Sequence, residues 1–248
     1  MLAWKLYPEQ FLAFWELTDH DAPPYPIKAI GRHDDSQLLI QERAQLRREL
    51  QADNNDITIA MRVLANPEVY VEITGTVQDT NVRIAAGVLT DRIAIASEIV
   101  HDGHNVVALG LAGTRGLSQR LVGAIPANAG GTRTFAPVSA APSIDVGGEP
   151  DSYMTSVWGD DRPAAGFADA CAASGVGGGS VEVFRGPRLG REHKVGRVGW
   201  VDLGGDGRYI SGPYNVGTIN SGGPEAFTTA VQTLIAEALE EHRSEAYA

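Results

Sequence analysis

Segments of this chain recur 110 residues apart. Val71-Glu72-Ile73 returns as Val181-Glu182-Val183, and Asn105-Val106 returns as Asn215-Val216. Gly113 corresponds to Gly223, and the helical pair Leu117 and Leu121 to Phe227 and Val231. Between these anchors the order of predicted elements also returns: three strands, a short strand, a glycine break and an amphipathic helix. Solenoid units are about 20 to 50 residues long, far shorter than this period. The echo therefore predicts a duplicated α+β half-domain and a pseudo-symmetric body. Such a body suits a scaffold or docking surface better than a one-off catalytic cleft. The expected organisation is one domain over 1–248, with an N-terminal half at 1–125, a linker at 126–150 and a C-terminal half at 151–248.

Composition narrows what this body can bind. The formal net charge is −11 over 248 residues. A chain this acidic is poorly suited to nucleic acid or anionic membrane without a local basic patch. The single cysteine, Cys171, excludes an intramolecular disulfide and fits a reducing cytosol. It lies in the alanine-rich run Phe167 to Ala173, where a small buried hydrophobe is the expected role. Lys5, Glu9 and Glu16 interrupt the apolar N-terminus, so it does not read as a signal peptide. No run reaches the roughly 18 to 20 apolar residues of a membrane span. The expectation is a cytoplasmic protein without membrane insertion.

Periodicity places the elements. Pro8 and Glu9 open a helix whose Phe11, Phe14 and Trp15 form an apolar stripe. A second helix is predicted from Ser36 to Gln51, carrying the basic cluster Arg43, Arg47 and Arg48, read as a solvated face. Asp56 to Leu64 fits either a strand or a helix. Strands are expected at Val69–Val77, Asn81–Leu89, Arg92–Ile99 and Asn105–Leu109, joined by short turns that make them antiparallel neighbours. A helix carrying Leu117, Leu121 and Ile125 follows the break at Gly110 to Gly113. Residues 126–150, rich in Pro, Ala, Gly, Ser and Thr, read as a loop. Ala164–Ala173 is expected as a small-residue helix, closed by Gly175 to Gly179. The second set of strands is expected at Ser180–Arg185, Lys194–Leu203, Gly207–Ser211 and Val216–Ile219. Pro224 then opens the strongest helix, striped by Phe227, Val231, Leu234, Ile235 and Leu239.

Catalytic signatures do not emerge. There is no glycine-rich phosphate loop ending in Gly-Lys-Ser/Thr, no His-Glu-x-x-His, no Cys-x-x-Cys and no Gly-x-Ser-x-Gly. The glycine run at Gly175 precedes a strand instead of following one, which argues against a dinucleotide loop. Asp202 and Asp206 fall on a glycine-rich hairpin, where turn chemistry accounts for them. His101 and His104 flank Asp102 in a turn and lack a signposted third metal ligand. They are the basis of the alternative reading, a cofactor-free or metal-dependent small-molecule enzyme. The main expectation is no catalytic residue, no metal and no cofactor.

Two stretches carry a family resemblance. Phe11-Leu-Ala-Phe-Trp-Glu-Leu with Ala22-Pro-Pro-Tyr-Pro-Ile27 resembles the start of the EspG family, the ESX (type VII) secretion-associated proteins of actinobacteria. Val198-Gly-Trp-Val-Asp202, Gly207-Arg-Tyr-Ile210 and the helix after Gly223-Pro224 resemble its last third. The resemblance implies a central, mainly antiparallel sheet from two pseudo-two-fold-related halves, flanked by helical bundles. It also implies a cytosolic chaperone without cofactor. Such a protein would bind a helical PE–PPE heterodimer at the apolar tip of the PPE protein, against the sheet and the C-terminal helices. Longer members extend the loop between the first two strands to hold substrate; here it is expected to be only about Gln78 to Asn81.

A one-sided binding face would sit where the halves differ. Trp200 occupies the mid-strand position that Val88 holds in the first half. It is therefore the leading candidate for contact with a substrate protein, with core packing as the competing explanation. Arg197, Tyr209 and Leu239 are the further candidates. Beyond a PE–PPE-like pair, a weak homo-oligomer is left open.

Overall fold

Strands rich in Val, Ile and Ala alternate between two faces, and two-residue turns fold them back on one another. The result, in a computed structural model that describes residues 2–30, 55–136, 166–187, 193–213 and 218–246, is one nine-stranded antiparallel sheet. Its strands are β1 (Leu2–Leu6), β2 (Val69–Val77), β3 (Thr80–Leu89), β4 (Arg92–His101) and β5 (His104–Gly113), then β6 (Gly175–Arg185), β7 (His193–Leu203), β8 (Gly207–Ser211) and β9 (Ile219–Ser221). They lie side by side in the order β1-β5-β4-β3-β2-β6-β7-β8-β9. The two sequence halves therefore meet at the β2–β6 pair, and successive strands run outward on both sides.

The register at that junction falls on the sequence echo. Glu72 pairs with Glu182, Val71 with Val183 and Ile73 with Val181. Like charges directly opposite destabilise a sheet. Here Lys194 Nζ donates to Glu182 at 2.8 Å, and Arg197 Nε lies 3.5 Å from the same carboxylate.

Helices cover both faces. On one face, α3 (Leu117–Ala124) and α5 (Pro224–Ala246) pack over both halves and enclose Val71, Ile84, Val88, Val181, Val198 and Trp200. Leu117, Leu121, Phe227 and Val231, the echoed helical positions, meet in this single core. On the other face, α1 (Pro8–Trp15) and α2 (Asn55–Ala65) cover Ala85, Ala94, Ala96 and Leu109 of the first half. Helix α1 begins with Pro8 at its first turn, and Tyr7 N donates to Gln10 Oε1 at 2.9 Å. The second half is covered there by α4 (Phe167–Ser174) and Phe135, over Val201, Leu203 and Tyr209.

The structure adds to some of these expectations and corrects others. Leu2–Leu6 is a strand, held at the sheet edge by β5. Residues 56–64, left open as strand or helix, lie in helix α2. Gly110 to Gly113 do not break β5 but continue it. Gly175 to Gly179 are not a loop but the first half of β6. At Gly179 the glycine has a steric reason: a Cβ there would come within 2.3 Å of the Trp200 ring and 2.2 Å of Thr74 O, and one on Gly75 within 2.7 Å of the ring. Glycine here makes room for an indole lying across the sheet, against its low strand propensity. The predicted helix at 36–51 and most of the linker lie outside the described residues.

Candidate functional site

The sequence-derived candidates do not converge. Trp200 is fully buried beneath α5, its ring 5.8 Å from that of Phe227. Tyr209 is fully buried on the opposite face, edge-on to Phe135 and Phe167. The docking role expected of both meets no exposed surface here: each ring fills core volume. Arg197, on the face away from Trp200, is 19% exposed and occupied with Glu182. Leu239 is half-buried on α5 and packs against the core.

The histidine turn also resolves. His101 and His104 sit directly opposite at the tip of the β4–β5 hairpin, with Asp102 and Gly103 at positive φ as a two-residue turn demands. Lys5 Nζ lies 3.2 Å from His101 Nε2, and the Tyr7 ring meets His104 edge-on. An ammonium in van der Waals reach of the imidazole repels a metal cation from that nitrogen. Among the described residues, no group of three or more His, Cys, Asp or Glu is arranged to hold a metal. Burial pushes the Cys171 thiol up to about 11, so it stays protonated and unreactive at neutral pH.

The surface offers a different site. Seven large apolar side chains are exposed among the described residues; Ile30 and Val100 stand at one groove, which Ile99 also lines although strand alternation turns its side chain to the other face. The chain arrives there by a fixed route. Trp15 Nε1 donates to Ala22 O at 2.7 Å, anchoring the stretch after α1. Ile27 N donates to Pro24 O at 2.9 Å, a turn that drives Ile27 and Ala29 into the core. Glu98 of β4 then pins the backbone. Its Oε1 accepts from Lys28 N at 2.7 Å and Ala29 N at 2.9 Å, and its Oε2 from Arg83 Nη1 at 3.0 Å.

With its neighbours pinned, Ile30 stands 70% exposed beside Val100, which is 71% exposed. The groove between them has a volume of about 290 Å³, floored by the Arg83–Glu98 pair. The β2–β3 turn, only Gln78 and Asp79, forms its rim through Asp79, Thr80 and Asn81. Exposed branched apolar side chains beside a recess can cover apolar surface on a partner. Sequence reasoning missed this pair. Its one signal was Ile99-Val100, two adjacent apolar residues at a strand end, since period-two alternation must turn one of them outward.

Comparison with known proteins now places the fold. The model of the EspG family matches residues 8–233. The chain belongs to the EspG family. No curated protein matches it in sequence. Among solved structures it is similar to the Mycobacterium tuberculosis type VII secretion system chaperone EspG5, solved in complex with the PE25–PPE41 dimer. That likeness covers 94% of this chain and 96% of the EspG5 chain, with a TM-score of 0.60 at 12% identity. The EspG architecture of one antiparallel sheet with helices on both faces is thus shared at low identity. No helix among the described residues is long and apolar enough to cross a membrane.

Proposed function

We propose that this EspG-family chain is a cytoplasmic chaperone of a type VII (ESX) secretion system. It binds a PE–PPE-type heterodimer, masks the apolar tip of the PPE protein, keeps the pair soluble and delivers it for export. It acts by binding and not by chemistry. The observation that carries this reading is the exposed pair Ile30 and Val100 at one groove of a protein in the EspG family.

Covering such a surface returns roughly 25 cal/mol for each Å² of apolar area removed from water. The same term drives aggregation of an uncovered substrate tip. Only two turn residues join β2 to β3, so this chain has no extended loop there to hold a substrate. In our reading the grip passes to the neighbouring Ile30 and Val100. We also read the chain as one domain, its halves related by a two-fold near the Glu72–Glu182 pair. The unbroken sheet and its mirrored strand order support this.

The test is co-expression with a PE–PPE pair from the same organism, followed by co-purification. Ile30→Glu and Val100→Glu place a carboxylate in the proposed contact and leave the core untouched. Each should weaken the complex at least tenfold at an unchanged melting temperature. A complex that withstands both substitutions would move the contact elsewhere.

A further inference from the structure

Strands β3 and β4 do not stay paired to their ends. Their ladder runs from Leu89↔Arg92 to Ile84↔Ser97 and stops there. Beyond it β3 reaches back to Thr80, and β4 runs on to His101. Each of these ends keeps only its outer neighbour: Thr80 to Arg83 pair with β2, and Glu98 to His101 pair with β5. The sheet is therefore split between β3 and β4 at this end. At the head of the split Arg83 Nη1 donates to Glu98 Oε2 at 3.0 Å, a side-chain bridge where the next pair of the ladder would fall.

The groove at Ile30 and Val100 lies in this split. It is lined by Thr80, Asn81 and Arg83 from one strand and by Glu98, Ile99 and Val100 from the other. In an antiparallel strand every second residue turns both its N–H and its C=O to the same side. Alternate residues of 80–83 and of 98–101 thus turn theirs into the slot, where no hydrogen bond meets them among the described residues. Two unpaired edges that face each other are a template for a strand. A helix bonds its own backbone internally and can satisfy neither edge. Water satisfies both but leaves Ile30 and Val100 uncovered. An extended segment pairs with both edges and covers the apolar rim.

We propose that the slot takes a short extended segment of the partner as an inserted strand, bonded through its main chain to β3 on one side and β4 on the other. This rests on the chaperone reading above and adds what the groove recognises. The tip of a helical partner is where its helices end, and the chain joining them has main-chain groups to offer. Because β3 and β4 are antiparallel, the segment runs parallel to one and antiparallel to the other. Every second side chain of the segment falls on the face of Ile30 and Val100. The main chain supplies affinity, and apolar residues at those alternate positions supply specificity.

Amide hydrogen exchange of the full chain, alone and with a PE–PPE pair from the same organism, reads the main chain directly. In the free chain the slot-facing amides of 80–83 and 98–101 should exchange fast, and their alternates bonded to β2 and β5 slowly. In the complex the slot-facing set should slow at least tenfold. The split can also be zipped shut. With the register of Ile84↔Ser97 continued, Asn81 falls opposite Val100, and both are exposed. Asn81→Cys with Val100→Cys should bind the pair when reduced, and at least tenfold more weakly once the two cysteines are joined. A complex whose slot-facing amides exchange as before would overturn the inserted strand and leave the chaperone reading in place; no complex with the native chain would overturn both. Equal binding by the reduced and oxidised forms would also overturn the insertion. So would slow exchange already present in the free chain, which assigns the slot to a segment of this chain if independent of concentration and to a second copy if it grows with concentration.

Discussion

The two halves of the sheet place strands in the same order outward from β2 and β6 but fill them differently. In the first half, β2 to β5 are nine or ten residues long and joined by two-residue turns. The layer beneath α1 and α2 is built on Ala85, Ala94 and Ala96. In the second half, the outer strands shrink to five and three residues, and large rings replace small side chains. The sharpest contrast lies at one register position. Val69 pairs with Val88 in the first half; Gly179 pairs with Trp200 in the second. Removing a side chain on β6 creates the space that the indole fills. One topology is thus compatible with a flat aliphatic core and with a glycine–aromatic one, provided that volume is conserved across neighbouring strands.

The turn beyond that position differs as well. After Leu89↔Arg92 the first half reverses at once through the exposed Thr90 and Asp91. The second half continues to Asp202↔Arg208 and Leu203↔Gly207 before turning. That extra ladder holds a buried ion pair, with Arg208 Nε and Nη2 each donating to Asp202 at 2.8 Å. Arg208 Nη2 also lies 3.0 Å from Pro126 O, and Arg208 N donates to Ala129 O at 2.7 Å. The chain leaving α3 is therefore fastened to the far half.

This contrast can be broken at graded cost. Trp200→Ala should destabilise by about 3–5 kcal/mol, and Val88→Ala by about 2 kcal/mol, since the ring leaves a larger cavity between Gly75 and Gly179. Denaturant titration of both variants tests this; equal losses would mean that the second half collapses around the missing ring. Next in size, Asp202→Asn leaves the Arg208 guanidinium buried without its counter-charge and should cost about 3 kcal/mol. Proteolysis between α3 and the second half should then accelerate.

The smallest effect is a pH response. Asp206 accepts from Tyr209 Oη at 2.5 Å and from Thr132 N at 2.8 Å, with Arg133 Nε 3.3 Å away. The Tyr209 hydroxyl and the Thr132 amide hold its carboxyl below the usual range, joined by the charge of Arg133. A lowered carboxylate contributes stability above its unfolded value, lost as pH falls through the folded one. Burial, then the Asp206 carboxylate, raises the Tyr209 phenol, whose contribution is present below its unfolded value and lost as pH rises through the folded one. Asp206→Asn should lower the melting temperature at neutral pH and flatten the acid limb of its profile, the variant and the native form converging as pH falls through the range where the native carboxyl protonates.

Much of this architecture was legible in the chain. The β-branched run at Val69–Val77 and the stripe from Phe227 to Ile235 each state one period clearly, and the structure follows both. Legibility ended where a residue's role depends on a distant partner. Gly175 to Gly179 look like a loop until Trp200 is placed across them. Trp200 and Tyr209 look like contact residues because large aromatics serve cores and interfaces equally, and only burial separates the two. The exposed pair Ile30 and Val100 was invisible for a related reason. Ile30 is exposed because Glu98 pins Lys28 and Ala29, and nothing in the local sequence around Ile30 records that bond.

The most direct test of the account is size-exclusion of the chain co-expressed with a PE–PPE pair from its own organism, in native and Val100→Glu forms. The account predicts one complex of all three chains for the native form and separated components for the variant, with both forms of the chain melting at the same temperature. Co-elution undiminished by Val100→Glu, or no complex with the native chain, would contradict it.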